Sequence, residues 1–401
     1  VANSILTISQ ITREAIRLWK NSNAFLMNID TQYDDAFART GAKIGTALRI
    51  RLPNDYTVRS GATATPQDTT EKNTTLTLAT QKGVDVSFSS VERTMQLDDY
   101  SKRVLRPAVN NLAGAVAADI MSGAEGGISN MAGNITSQVV STPNATTYLT
   151  AGAALSTYSS PMNDRKIVNS QFTEARVVAS LSGLFNPAPA ISKQYETGIM
   201  KSALGFEWMM DQTTLVHVSG TFTAGTLNGA SQTGLTMTTN ATTGTLKVGD
   251  IVTIDGVNSV NRITKQDTGQ LAQFVLTAAA LNAATSVSLY PAVIGPSGGN
   301  PVAYQTVAAL PADAAAIRLV ATGTYRKNFA FVPEAITMAT ADLELPRGVH
   351  EAARMSYDGI SIRMITAYAV LTDAFITRMD ILYGYLFVRP EWAVVIPDVV
   401  P

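Results

Sequence analysis

Arg378-Met379-Asp380-Ile381-Leu382-Tyr383-Gly384-Tyr385-Leu386-Phe387-Val388-Arg389-Pro390-Glu391-Trp392 leads into Ala393-Val394-Val395-Ile396 near the end of the chain. The apolar and aromatic run reads as a strand. Pro390 has no amide hydrogen to give a ladder, so it marks a turn. A closing strand needs a sheet that earlier segments have already supplied, and the preceding residues provide candidates. Ser361-Ile362-Arg363-Met364-Ile365-Thr366-Ala367-Tyr368 alternates apolar and polar as a strand does, and Phe329-Ala330-Phe331-Val332 is a short apolar strand.

Residues 216–322 differ in character. Thr, Gly, Ala and Ser dominate, broken by short alternating runs at Leu235–Thr238, Asp250–Ile254, Gln273–Thr277 and Ser286–Leu289. Asp255-Gly256 and Ser297-Gly298 read as turns. Lys247-Val248-Gly249-Asp250-Ile251-Val252-Thr253-Ile254 reads as the entry to a small β-barrel, with Gly-Asp starting a strand. The segment is expected to be an all-β domain inserted into an α/β one.

Before it, residues 150–215 mix helix and strand. Arg165-Lys166-Ile167-Val168 reads as a strand, Thr173 as the cap of a helix running to Phe185, and Phe206-Glu207-Trp208-Met209-Met210 as a buried strand or turn. Residues 97–125 carry the longest helical pattern. Leu105, Val109, Leu112, Val116 and Ile120 form one apolar stripe, and acidic residues open it at Asp98-Asp99. Pro107 must kink this helix or stand in the first turn of a second one. Gly123, Gly126 and Gly127 end it.

Residues 47–90 read as an extended β-hairpin loop. Ala47–Leu52 and Thr74–Leu78 alternate around a polar Thr/Gly/Ala tip, and Val84–Phe88 alternates again. The tip holds too little apolar surface for a core of its own. Residues 4–27 predict an amphipathic helix with Ile5, Ile8, Ile11, Ala15 and Leu18 on one face and a Thr7/Gln10 capping box. It is either an ordinary packing helix or an arm laid on a neighbouring subunit.

Composition narrows the function. The 401 residues allow two or three domains; 46% are hydrophobic and 15% charged. Lys+Arg 30 against Asp+Glu 31 shows no basic excess, which argues against strong direct nucleic-acid binding. The absence of cysteine excludes disulfides and thiolate metal sites, and two histidines exclude a His-rich one. No apolar run reaches the ~18 residues that span a bilayer. Val1-Ala2-Asn3-Ser4 lacks the charged leader and apolar block of a signal peptide, so the chain is expected to be made and used in the cytosol. His350-Glu351 has no accompanying nucleophile motif, and no phosphate loop or nucleophile elbow is present. No enzyme, cofactor or metal is expected.

The Tyr383-Gly384 pair, the apolar residues after it and Arg389-Pro390-Glu391 followed by Ala393 resemble the closing strand and turn of tailed-bacteriophage major capsid proteins with the Hong Kong 97-type fold. The order of elements agrees over nearly the whole chain. The resemblance implies an α+β fold made of an N-terminal arm (1–46), an extended loop (47–90), a spine helix with peripheral domain (91–130) and an axial domain (131–215). An inserted small β-barrel domain (216–322) follows, then a return to the axial and peripheral domains (323–401). The insertion points to the branch of coat proteins from short-tailed Salmonella phages, with Gly249–Ile254 resembling the start of its barrel. It implies pentamers and hexamers that close into an icosahedral shell around double-stranded DNA, assembled in the host cytoplasm. The implied partners are further copies of the chain, a separate scaffolding protein, a portal protein, weakly and non-specifically contacted DNA, and in some members a decoration protein. No membrane partner is implied.

The candidate interface residues are Arg49, Arg51 and Arg59, read as facing Asp55, Asp68 and Glu71 across subunits; Lys72; Trp208 beside Phe206; and Arg389 with Glu391. Each has a plain alternative. Exposed ion pairs add little, Lys72 is by default a solvated lysine rather than a cross-linking one, Trp208 fits a core, and Arg389 with Glu391 fits a local turn pair. Two other readings stay open: an encapsulin-like nanocompartment shell, and a β-rich extracellular binding protein or hydrolase, which would be a secreted monomer.

Overall fold

The computed structural model describes residues 8–20, 23–31, 47–59, 61–64, 66–67, 72–89, 104–133, 138–181, 202–357 and 359–400. In chain order the elements are α1 (Ile8–Lys20), β1 (Ala47–Arg51), β2 (Asn73–Thr77), β3 (Thr80–Ser89), α2 (Arg106–Ala124), β4 (Asn130–Met131), α3 (Ala145–Thr157), β5 (Lys166–Ser170), α4 (Gln171–Leu181), β6 (Ser202–Ala203), β7 (Phe206–Asp211) and β8 (Leu215–Val218). There follow β9 (Gly234–Thr238), β10 (Ile251–Val260), β11 (Asp267–Leu276), β12 (Ser286–Val293), β13 (Ile317–Leu319), β14 (Thr324–Phe331), β15 (Ile336–Ala341), β16 (Glu351–Tyr357), β17 (Ile360–Ala369), β18 (Ala374–Phe387) and β19 (Ala393–Val399). The chain divides into two compact units, one of residues 1–51, 73–120 and 336–388, the other of 52–72, 121–335 and 389–401.

The first unit is built on β18, the long strand read from the sequence. β3 runs along one edge of it from Ala374↔Ser89 to Tyr383↔Thr80. The other edge is shared by β17, as far as Arg363↔Asp380, and β15, from Ala341↔Leu382; β16 continues the sheet beyond β17. Asp380 is buried in β18 and ionically satisfied by Arg363 Nη2 at 2.6 Å and Arg378 Nε at 2.7 Å. β1 and β2 pair antiparallel, Ala47↔Thr77 to Arg51↔Asn73, and bury Ile50, Leu76 and Leu78 against Ala339 and Ala341 of β15. Gly384 explains its own place in the motif. A Cβ there would stand 2.1 Å from the Thr77 carbonyl oxygen, so only glycine lets the end of β2 lie against β18.

α1 packs on β16 and β17 of its own chain. Its buried face is Thr12, Ala15, Ile16 and Trp19, displaced from the Ile8/Ile11/Leu18 stripe expected from the sequence. The indole is the largest group available and takes the core. Ile5, Thr7 and its capping box lie outside the described residues. The α2 stripe is as expected, with Leu105, Val109, Leu112, Val116 and Ile120 buried. α2 is α-helical from Arg106 and continues a π turn at Val104 and Leu105, so Pro107 stands where one helical form passes into the other. The acidic opening at Leu97–Tyr100 lies outside the described residues.

The second unit holds a mixed sheet in the order β4-β19-β14-β5-β7-β6, with β8 also on β14. β5 and β8 share one edge of β14 end to end, at Phe329↔Val168 and Thr324↔Val218. α3 and α4 cover the sheet, burying Tyr148, Ala151, Leu155 and Val177 on Ile167, Trp208, Ala330, Val394 and Ile396. α3, which the sequence reading did not single out, starts at a capping box in which Asn144 Oδ1 accepts from Thr147 N and Thr147 Oγ1 accepts from Asn144 N. α4 stops at Leu181, and the Phe185 end expected for it lies outside the described residues.

Between β8 and β14 the chain makes a closed barrel. Its strands run β13-β10-β11-β12-β9. The segment around Thr226 and Leu227 closes the circle by bridging Ala316 on one side and Thr239 on the other. Its interior is packed by Phe222, Leu246, Ile254, Phe274, Leu276, Leu289 and Val307 among others. The neck is two residues wide: Ser219 N donates to Gly323 O at 3.0 Å and Gly323 N to Ser219 Oγ at 2.9 Å. The expected boundary at 216 therefore falls inside β8, a strand of the host sheet. Asp255-Gly256 is not a turn. It is a bulge within β10, where the register to β11 shifts between Thr253 and Asn258 and Gly256 takes a φ of +77°. Ser297 is a turn, exchanging backbone hydrogen bonds with Asn300.

Candidate assembly surface

The extended loop leaves β1 at Leu52, whose amide donates to Lys72 O at 2.9 Å across the loop base. Further out, Gln67 zips the two limbs: its Oε1 accepts from Thr57 N at 2.9 Å and its Nε2 donates to Thr57 O at 2.7 Å. Arg59 donates back to Gly61 O. The limb carries Tyr56, 53% exposed, and Val58, 92% exposed. The base is anchored differently. Arg262, in the β10–β11 turn, grips Asp55 through Nε at 3.3 Å and Nη2 at 3.2 Å and pairs with Glu391 through Nη1. The Lys72 ammonium lies 3.4 Å from the centre of the Tyr304 ring, and Tyr304 Oη donates to Asn54 Oδ1. Burial works against the Arg262 charge, but Glu391 and Asp55 outweigh it and raise its pKa.

These contacts rearrange the pairing read from the sequence. Within its own chain Asp55 pairs with Arg262; Asp68 and Glu71 lie outside the described residues. Arg49 and Arg51 are exposed on β1, in register with Thr75 and Asn73. Glu391 pairs with Arg262 and not with Arg389. Pro390 holds the two side chains apart at the start of a 3-10 turn, and Arg389 instead stacks 4.1 Å from the Trp392 ring. Trp208 is a core residue. It is 3% exposed, its Nε1 donates to Ala203 O at 2.8 Å and its ring meets Tyr148 at 4.4 Å, which leaves no indole face for a neighbour. Arg262 and Tyr304 were missed because nothing local marks them; each gains its role from a partner hundreds of residues away.

A second cluster sits at the barrel neck. His217 of β8 places Nδ1 3.0 Å from Glu125 Oε1 and Nε2 2.8 Å from Asp250 Oδ1. Asp250 Oδ2 accepts from Lys247 N at 2.7 Å and Gly220 N at 3.0 Å. Lys327 of β14 donates to Gly249 O at 2.9 Å and lies 3.7 Å from Glu125 Oε1. Burial pushes the His217 pKa down, but the hydrogen bonds to Asp250 and Glu125 outweigh it and hold it above the ordinary histidine value. Burial pushes Lys327 down to about 8 despite the attraction of Glu125 and Asp250.

Among the described residues no group of three or more His, Asp or Glu is arranged to hold a metal ion, and no helix is long and apolar enough to cross a membrane. His350 rests against Phe375, ring centres 5.3 Å apart. Neither arrangement brings a nucleophile to a base. Both hold segments together.

A family model described as "P22 coat protein - gene protein 5" matches residues 49–396. Among solved structures the chain is similar to one described as Mycobacterium phage Che8, at 11% identity and a TM-score of 0.50, over 93% of this chain and 90% of that one. It is also similar to the capsid structure of the cyanophage P-SCSP1u, at 10% identity and a TM-score of 0.44, over 89% and 84%. The CUS-3 coat protein I-domain aligns with 24% of this chain over 93% of its own length, at 29% identity and a TM-score of 0.20. No curated protein matches. A match that takes in the loop, both sheets, the barrel and the closing turn shows that this chain belongs to the P22 coat protein family and is a structural phage capsid protein of the Hong Kong 97-type fold.

Proposed function

We propose that this chain is the shell-forming subunit of a tailed phage in the insertion-bearing branch typified by the coat proteins of short-tailed Salmonella phages. Its pentamers and hexamers close into an icosahedral shell around double-stranded DNA. The barrel between β8 and β14 is the branch's inserted domain, α3 and α4 on the mixed sheet form the axial domain, and the β15–β18 sheet with α2 forms the peripheral one. A separate scaffolding protein directs assembly, a portal protein occupies one vertex, and the DNA is touched weakly, in keeping with Lys+Arg 30 against Asp+Glu 31.

One observation carries the assembly reading. The loop base is fastened to its own chain by Asp55 and Lys72, while the braced limb beyond it presents Val58 and Tyr56 to solvent. Large aliphatic and aromatic groups held out on a rigid support support burial against another copy. Arg59, exposed on the same limb, belongs to the proposed polar rim; Arg49 and Arg51, exposed on β1, are proposed interface residues of the first unit.

The test is co-expression of the full chain with its scaffolding protein, followed by negative-stain microscopy and sedimentation. Closed shells are expected from the wild type, and Val58→Asp is expected to leave soluble, folded, unassembled protein. A wild-type chain that stays monomeric with scaffold present would overturn the reading.

A further inference from the structure

We propose that the His217 imidazolium is a pH-operated latch holding the inserted barrel to the strand pair from which it emerges. The inference rests on geometry at the neck. His217 is 4% exposed, and both ring nitrogens stand within hydrogen-bond distance of a carboxylate oxygen. A neutral imidazole has one N–H and one lone pair, so it can satisfy one of these acceptors and must aim its lone pair at the other. Only the doubly protonated ring satisfies both. The alternative, a protonated carboxyl, is disfavoured at Glu125. Asp250 Oδ2 already accepts two backbone N–H groups, and Glu125 is held below the ordinary carboxylate range: burial pushes it up, but the His217 hydrogen bond and the Lys327 charge prevail.

The three elements joined are distinct. Asp250 directly precedes β10 and belongs to the barrel; His217 lies on β8, two residues before the neck; Glu125 directly follows α2. Lys327 and Tyr325 face the ring from β14, the Tyr325 ring centre 5.3 Å away. The charges close with the imidazolium present: two carboxylates against His217 and Lys327. Loss of the ring proton leaves a buried net negative charge at a neck that the Ser219–Gly323 hydrogen bonds and the Lys327 bond to Gly249 O also hold. The sign follows. The latch is engaged at and below neutral pH and releases as pH rises through the elevated histidine value. Release loosens the barrel at its neck, while the Lys327 and Arg262 contacts remain, and leaves its interior, which has its own core, intact.

The chain has two histidines, so His350, which is exposed, serves as an internal reference. The experiment is a pH titration of the histidine-labelled full chain by nitrogen–proton NMR, paired with hydrogen exchange corrected for intrinsic rates. At pH 7 we expect both His217 nitrogens to carry protons and its midpoint to lie above the ordinary histidine value of ~6.5. Across that midpoint the Gly220 and Lys247 amides should lose protection several-fold. The Phe274 and Leu276 amides should keep theirs. Lys327 titrates in an overlapping range, and His217→Gln separates the two, because any step surviving in that variant belongs to the lysine. Should the variant fail to fold, the wild-type titration decides alone. A neutral His217 at pH 7, or neck exchange that does not follow its midpoint, overturns the proposal.

Discussion

Arg262 and Asp55 stand 207 residues apart in sequence and meet through a two-toothed contact, Nε to Oδ1 at 3.3 Å and Nη2 to Oδ2 at 3.2 Å. The same guanidinium holds Glu391. One planar cation thus fastens the loop base and the closing 3-10 turn to the β10–β11 turn of the barrel. A lysine has no such fork and would hold one carboxylate at a time.

Replacing Arg262 with Ala leaves Asp55 and Glu391 as unpaired like charges in a half-buried site. After discounting for solvent access, we expect a loss of about 1 kcal/mol in stability. The sharper effect is local. Protease cutting within 52–59 should accelerate several-fold, and Arg262→Lys should fall between wild type and Ala. Equal cutting rates in all three proteins would show that the loop base is held by Lys72 and Tyr304 alone.

Gly384→Ala tests the crossing of β2 and β18. Its Cβ would meet a backbone carbonyl oxygen at 2.1 Å, and backbone cannot swing aside as a side chain can. We expect destabilisation of about 3 kcal/mol, at the upper end for overpacking, visible as a lowered urea midpoint. Gly205→Ala is a useful contrast, since nothing lies within 4 Å of its Cβ position and the only penalty is its φ of +82°. If the two variants lose the same stability, the crossing is looser than it looks.

What the sequence yielded follows from how local each signal is. The α2 stripe, the β18 run and the Gly249–Ile254 entry to the barrel are periodic patterns set by neighbours a few residues away, and each names its element correctly. Asp255-Gly256 misled because Asp-Gly is the same chemistry in a hairpin turn and in a bulge; only the pairing of β10 with both β11 and β13 decides. α1 misled by one helical position because two apolar faces compete and Trp19 wins on size. The assembly and neck residues were the least legible. His217 needs Glu125 and Asp250, 92 and 33 residues away, and no spacing rule links them.

Arg165 is a buried cation with no carboxylate partner in its hydrogen-bond shell. Its Nε donates to Pro161 O at 2.9 Å, its Nη1 to Gly152 O at 3.1 Å, and its Nη2 to Ser160 O, Ser160 Oγ and Ser156 Oγ. Ser160 and Pro161 follow the C-terminal end of α3, where the helix dipole favours a positive charge. Arg165→Met keeps the stem but strands those acceptors. We expect a cost of about 2–4 kcal/mol in chemical denaturation. A near-neutral result would mean that water replaces the guanidinium.

Lys327→Met separates two charges that act in opposite directions on stability. The Lys327 side chain is 1% exposed, and its value is pushed down to about 8 against an ordinary lysine value of ~10.4. Between those two values the unfolded chain binds more protons than the folded one, so the lysine makes stability rise with pH there. His217 does the reverse. Its raised value gives stability that is full below the ordinary histidine value of ~6.5 and is lost as pH climbs through the folded one. The Lys327 charge also disfavours the imidazolium, so removing it should move the His217 midpoint upward. Methionine matches the stem but cannot donate to Gly249 O, which costs about 1–3 kcal/mol. Relief of the buried charge offsets that cost at neutral pH, so the variant should lose the alkaline rise and show a later histidine step by NMR. A His217 midpoint that stays put or falls would show that the two side chains do not feel each other across the neck.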